Sequence, residues 1–126
     1  MNRQSARSGS PFEDRIGFSR AVRQGNTIAV SGTAPVWPDD RVDPDPLVQA
    51  RRCWEIALTA LAELGGRPDQ VIRTRQYLVD AIHADAAGRA HREAFGEVRP
   101  ASTMLVVAGL LDPRWLVEVE LDAVVP

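Results

Sequence analysis

The sequence predicts an α+β domain of order ββαβαββ, a mixed sheet with two helices on one face. Three observations carry that expectation. Residues 47–64 hold one apolar stripe at helical spacing, bounded by start and stop signals. Residues 117–124 alternate as a half-buried strand does, with Val117, Val119, Leu121 and Ala123 on one side and Glu118, Glu120 and Asp122 on the other. The length of 126 residues suits one domain with a single core.

Residues 1–11 are rich in Ser, Arg and Gly and are expected to be a flexible N-terminus, leaving 12–126 as the single domain. A first strand begins around Phe18-Ser19-Arg20-Ala21-Val22. Gln24-Gly25-Asn26 then turns the chain into Thr27-Ile28-Ala29-Val30-Ser31-Gly32, a short hairpin signal. The segment from Thr33 to Pro46 carries four prolines among aspartates and reads as loop, since proline breaks a strand ladder.

Asp45-Pro46 starts a helix, with aspartate as N-cap and proline at the first helical position. Leu47, Ala50, Trp54, Ala57, Leu58, Leu61 and Leu64 form its stripe, and Gly65-Gly66 ends it in a left-handed turn. Val71 to Asp80 reads as a third strand, with Arg73, Arg75 and Tyr77 on one face. His83 to Phe95 is a second, alanine-rich helix containing Gly88. Two closing strands lie within Arg99–Ala108 and Leu116–Val124. Helices on one side leave the other side of such a sheet open. Arg73 and Arg75 could neutralise the acidic row if their strands are neighbours, and burial of this face in a symmetric oligomer is expected.

The fifteen basic residues are all arginine against seventeen acidic ones, for a net charge of −2. Without lysine, Schiff-base catalysis, a covalent pyridoxal phosphate link and a Walker-type lysine are excluded. No cofactor is expected. The single Cys53 excludes an intrachain disulfide and, inside the helix stripe, reads as core. No apolar run reaches membrane-spanning length, so no membrane partner is expected, and a cytoplasmic location is the default. His83 and His91 stand without further ligands at metal spacing, so no metal site is expected. Scattered arginines and a negative net charge argue against nucleic acid as a partner.

Several strings in fixed order carry a family resemblance: Phe18-Ser19-Arg20-Ala21-Val22, Gly25-Asn26, Val30-Ser31-Gly32, the long helix, Val71-Ile72-Arg73-Thr74 with Asp80, Phe95, Pro100-Ala101, and Leu116-Val117-Glu118-Val119-Glu120. Together they resemble the RidA/YjgF family. The resemblance implies a fold similar to trimeric chorismate mutase, with three sheets forming a barrel core, helices outside and ligand clefts between subunits. It also implies hydrolysis of reactive imines and enamines to keto acids and ammonia.

Residue by residue, the resemblance assigns Ser31 and Gly32 to a backbone site lining the pocket, and Glu118 to the strand glutamate that positions water. Phe18 stands where a tyrosine is usual. Ser102 occupies the position after Pro100-Ala101 where the family's arginine clamps the substrate carboxylate, and Met104 stands where a cysteine or other small residue is frequent. A serine hydroxyl offers one donor against the charged fork of arginine, a contact whose loss costs roughly 2–5 kcal/mol. Arg75 and Arg114 are the candidates to replace that arginine, each with a salt bridge or loop cation as its plainer reading. For Glu118 both acid–base chemistry and a structural carboxylate stay open.

The functional expectation is therefore a homotrimer that binds a small carbonyl or carboxylate metabolite in intersubunit clefts. Hydrolysis of an imine, enamine or related intermediate is the enzymatic form of that reading. A non-catalytic metabolite-binding or regulatory protein is the alternative, and an endoribonuclease-like activity ranks third.

Overall fold

The computed structural model of the chain describes residues 2–126; Met1 lies outside the described residues. The described elements are β1 (Arg3–Ala6), α1 (Pro11–Ile16), β2 (Ala21–Gln24), β3 (Thr27–Thr33), α2 (Pro46–Glu63), β4 (Val71–Leu78), α3 (Ala84–Phe95), β5 (Ala101–Val106) and β6 (Val117–Val124), with short 3-10 turns at Pro68–Gln70 and Ala81–His83. The six strands form one sheet in the order β1-β2-β3-β6-β4-β5.

The predicted hairpin is present: β2 and β3 pair antiparallel around Gly25-Asn26, where Gly25 takes φ 61°. Helix α2 starts as its sequence signals. Asp45 accepts hydrogen bonds from the amides of Leu47 (2.8 Å) and Val48 (3.1 Å), and Pro46 occupies the first turn. At the other end Gly65, at φ 87°, lets the Gly66 amide reach Leu61 O at 2.9 Å. Arg23 Nη1 reaches across from β2 to Leu64 O at 2.9 Å, placing a cation where the helix leaves its carbonyls unpaired.

Helices α2 and α3 pack on each other, and α2 lies across β3 and β6. Between them and the sheet sit Trp54, Leu61, Phe95 and Ala57 from the helices, and Ile28, Val30, Val117, Val119 and Leu121 from the strands, all buried. Full burial of one such Leu, Ile or Phe side chain is worth roughly 1.5–3 kcal/mol. Cys53 belongs to this core, and burial pushes its thiol well above the usual range. Gln49 is a buried polar exception that α2 uses as a clamp. Its amide donates to Asp43 O (2.8 Å) and Arg114 O (2.9 Å) and accepts from the Leu116 amide (2.8 Å), tying two loops to the helix.

Two features differ from the sequence expectation, and the pairing of the closing strands, which it left open, is settled by the sheet. The segment expected to be flexible over residues 1–11 forms β1, which pairs antiparallel with the outer edge of β2 and buries Ala6. A third helix, α1, follows; Ser10 caps it and Pro11 opens it, so the expected boundary at residue 12 falls inside an element. The two closing strands are not neighbours. Strand β5 pairs parallel with β4 at the sheet edge, and β6 inserts antiparallel between β3 and β4. Among the described residues, no helix is long and apolar enough to cross a membrane.

Candidate functional site

The alternation of β6 turns Glu118, Glu120 and Asp122 to the face of the sheet away from α2 and α3. On the neighbouring β4, Tyr77 stands opposite Glu118, Arg75 opposite Glu120 and Arg73 opposite Asp122. Of the two arginines the sequence offers for neutralising the row, Arg75 is the one ion-paired to it, with Nη1 3.4 Å from Asp122 and 3.8 Å from Glu120. These groups are about one-third exposed, so the pairing stabilises the chain little. The Tyr77 hydroxyl donates to Glu120, which pushes its pKa up to about 12.

On the other side of β6, strand β3 carries one extra residue between Val30 and Thr33, a bulge centred on Ser31-Gly32. The bulge is fastened to the segment before β2. The Ser31 amide donates to Arg20 O at 3.0 Å, and the Ser31 hydroxyl donates to Ser19 O at 2.6 Å. Arg20 returns a guanidinium hydrogen bond to Gly32 O and lies 5.7 Å from the centroid of the Phe18 ring. Glu118 then rests against the bulge. A Cβ placed on Gly32 would sit 2.5 Å from Glu118 Oε2, so the carboxylate occupies the volume that glycine leaves free.

The electrostatics of this corner are those of a partly dried site. Burial raises the Glu118 carboxyl above its usual range, the Arg20 charge opposes that rise, and Glu120 adds to it. Burial pulls Arg20 down from its ordinary value, while Glu13 and Glu118 push it back up. The Arg20 Nε–H is buried with no hydrogen-bond partner. A carboxyl with a raised pKa can hold or release a proton, and a desolvated guanidinium with a free N–H attracts an oxyanion.

The structure thus brings together Phe18, Ser31, Gly32 and Glu118, and adds Arg20, which the sequence reading did not single out. Its signal was present: positions 18 and 20 share a side in an extended segment. The other candidates lie elsewhere. Ser102 and Met104 stand opposite Thr74 and Gln76 across the β4–β5 ladder, on the helix-covered face, so within one chain they are on the far side of the sheet from Glu118. Met104 packs on the core edge. Arg114 is ion-paired, 2.8 Å from Asp112 in its own turn and 3.5 Å from Asp40 in the loop before α2. Arg75 and Arg114 are both ion-paired, so the guanidinium beside Glu118 is that of Arg20. Among the described residues, no three His, Cys, Asp or Glu side chains gather as metal ligands do.

Residues 11–125 match the sequence profile of the family described as Endoribonuclease L-PSP. An uncharacterized protein of Streptomyces coelicolor is 44% identical over 117 residues, 92% of this chain and 87% of that protein. A RutC family protein of Pyrococcus abyssi is 30% identical over 95 residues, 74% of this chain and 75% of that protein. Among solved structures, a Mycobacterium tuberculosis member of the YjgF/YER057c/UK114 family superposes with a TM-score of 0.91 at 37% identity, covering 98% of this chain and 100% of the other. Escherichia coli TdcF, crystallised with bound serine, shares the fold at a TM-score of 0.82 and 21% identity, over 97% of this chain and 94% of the other. With the profile spanning residues 11–125 and a relative 37% identical in sequence sharing the fold over 98% of this chain, the chain belongs to the YjgF/RidA family.

Proposed function

We propose that the protein binds a small carbonyl or carboxylate metabolite in clefts between the subunits of a homotrimer, with the Phe18–Arg20–Gly32–Glu118 corner as the chemical centre of each cleft. The single observation that carries this reading is the Glu118 carboxylate, seated against Gly32 beside a desolvated, incompletely bonded Arg20. One chain leaves this corner on an open sheet face. The β5 edge also exposes Leu105 and Val106, apolar surface that a second subunit would cover. Ser102 faces away from Glu118 within its own chain and could reach such a corner only in a neighbouring copy.

Arg20 takes the part of the cation in this reading. Its guanidinium and the Gly32 backbone hold a ligand oxyanion or carbonyl oxygen, and the Phe18 ring shields one side. Glu118 orients a water or passes a proton to the ligand. That is the equipment for hydrolysing an imine or enamine, and the same corner without turnover makes a metabolite-binding protein. A net charge of −2 does not favour contact with the RNA backbone.

Calorimetric titration with pyruvate or 2-oxobutanoate tests the binding step. The natural protein and the Arg75→Gln and Arg114→Gln variants bind, while Arg20→Gln loses about 2–5 kcal/mol of affinity, the usual cost of removing one side of a desolvated charge contact. Equal binding by Arg20→Gln overturns the assignment. Keto-acid and ammonia release from enzymatically generated 2-aminoacrylate separates the two forms: acceleration above buffer that Glu118→Gln abolishes makes it an enzyme, and binding without acceleration makes it a sensor or carrier. Sizing in solution as a monomer at micromolar concentration overturns the cleft.

A further inference from the structure

On the helix-covered side of the sheet edge lies a second polar group, on the opposite face of the same chain from Glu118. Thr74, fully buried on β4, donates its hydroxyl proton to Ser102 Oγ on β5 at 2.8 Å, and His91 Nε2 on α3 lies 2.8 Å from the same Thr74 oxygen. The imidazole is held by aromatic contacts, 5.6 Å from Trp54 edge-on and 5.0 Å from Phe95. Ser102 is exposed on the edge strand. A shielded base is therefore joined through one hydroxyl to a hydroxyl at the surface.

We propose that Ser102 is the reactive end of a Ser102–Thr74–His91 proton relay, and that it adds to the electrophilic carbonyl of a small acyl compound. The bond orders and protons balance. Ser102 Oγ forms a bond to the acyl carbon while the bond from that carbon to its leaving oxygen breaks. The Ser102 proton passes to Thr74 Oγ1, and the Thr74 proton passes to His91 Nε2. The leaving oxygen departs with the bonding electron pair and takes its proton from water, and the imidazolium gives its proton up to water.

Three features support the relay. A threonine hydroxyl accepts one hydrogen bond and donates another, and it reverses both by rotation about its C–O bond. The chain can thus run from the ring to Ser102 or from Ser102 to the ring, according to the tautomer of a neutral histidine. Burial lowers the pKa of His91, which keeps the ring neutral and able to accept at neutral pH. With Thr74 donating to Ser102, His91 Nε2 carries the ring proton; both links are 2.8 Å long, and the proton-accepting direction needs only the two hydroxyl rotations and the other neutral tautomer. The relay is built from residues other than Glu118 and Arg20, and its test reads acylation of Ser102 rather than keto-acid binding, so its failure and that of the function proposed above are told apart.

The test is acylation by 4-nitrophenyl acetate, followed by nitrophenolate release and by mapping the acetyl group with mass spectrometry. The absence of lysine removes the usual competing side-chain amine. The expected result is an acetyl group on Ser102, absent in Ser102→Ala. Its rate of formation falls about 10²-fold in Thr74→Val and in His91→Phe, the scale of general-base assistance. Thr74→Ser, which keeps the bridging hydroxyl, restores the rate. Circular dichroism and thermal melting of each variant confirm that the rates compare folded proteins, and the Thr74→Val and Thr74→Ser pair decides the question if His91→Phe fails to fold. An unmodified Ser102 overturns the proposal, as does acetylation at one rate in Thr74→Val, Thr74→Ser and the natural protein.

Discussion

Replacing Gly32 by alanine probes whether the β3 bulge exists to seat Glu118. The new Cβ would stand 2.5 Å from Glu118 Oε2 and 3.4 Å from its Cδ. Ordinary non-bonded contact begins near 3.5 Å, so the carboxylate must retreat by about 1 Å. Gly32 is not among the glycines with positive φ, and alanine therefore strains nothing in the backbone. The substitution gains about 0.4–1 kcal/mol by restricting the unfolded chain. Forcing Glu118 off its rotamer costs about 0.5–1.5 kcal/mol. These nearly cancel, and the melting temperature should move by no more than a few degrees. Function is another matter, because a displacement of about 1 Å at a reacting group can cost roughly 10²-fold. Scanning fluorimetry measures the first quantity, and keto-acid titration with 2-aminoacrylate turnover measures the second. Near-normal stability with lost ligand response is the expected pair. Glu118→Ala and the Gly32→Ala/Glu118→Ala double variant should then behave alike, since both groups act through one contact. An alanine variant with unchanged ligand response, or one that unfolds outright, refutes the reasoning.

Other expectations follow from the same geometry. The folded chain raises the Glu118 carboxyl, so above the ordinary carboxylate range the fold retains a proton that the unfolded chain has released. Stability contributed by that proton is present at low pH and is lost as pH rises through the raised value. Glu118→Gln should accordingly match the natural protein in acid and melt higher than it at neutral pH; a lower melting point at neutral pH would show that the Arg20 attraction outweighs burial. Tyr77 is the single tyrosine, so absorbance titration of tyrosinate reports it alone, with a midpoint near the value of about 12 that its bond to Glu120 produces. Glu120→Gln should bring that midpoint down toward 10, and an unchanged midpoint would remove the hydrogen bond from the account. Asp45→Ala deletes two cap hydrogen bonds and should cost about 1 kcal/mol in denaturant unfolding; no change in midpoint would mean that water replaces the cap.

Much of the fold was legible because its signals are local. The Asp45-Pro46 start, the Gly65 stop and the alternation from Val117 to Ala123 are each set by neighbouring residues and survive into the structure unchanged. The elements that were not legible are made by distant contacts. The four residues Arg3–Ala6 have one buried side chain and become a strand because the β2 edge is free to pair with them. The parallel pairing of β5 with β4, rather than with the next strand in sequence, follows from the inner place of β6 and has no local signature.

The candidate site divides along the same line. Glu118, Ser31 and Gly32 were marked by the family strings, and their contact needs only the β3–β6 register. Arg20 was read as one more residue of a strand, because its partners, Gly32 O and the Glu118 field, come from strands about a dozen and a hundred positions away. Ser102 and Glu118 are expected in one cleft between subunits, and within a single chain they take opposite faces of the sheet, which depends on the register of a ladder that sequence does not display. The polar link from Ser102 to His91 has no sequence signature for the same reason: it joins β4, β5 and α3, and no spacing announces it.

The central claim is that a ligand oxygen sits between Arg20, the Gly32 backbone and Glu118, in a cleft completed by a second copy of the chain. A crystal structure of the protein grown with 2-oxobutanoate tests it most directly. The account predicts a trimer with the ligand carboxylate or carbonyl within hydrogen-bond distance of Arg20, its carbon framework against Phe18, and residues of a neighbouring subunit closing the cleft. Ligand bound wholly within one chain, or bound in the cleft with Arg20 turned away and still holding only Gly32 O, would contradict it.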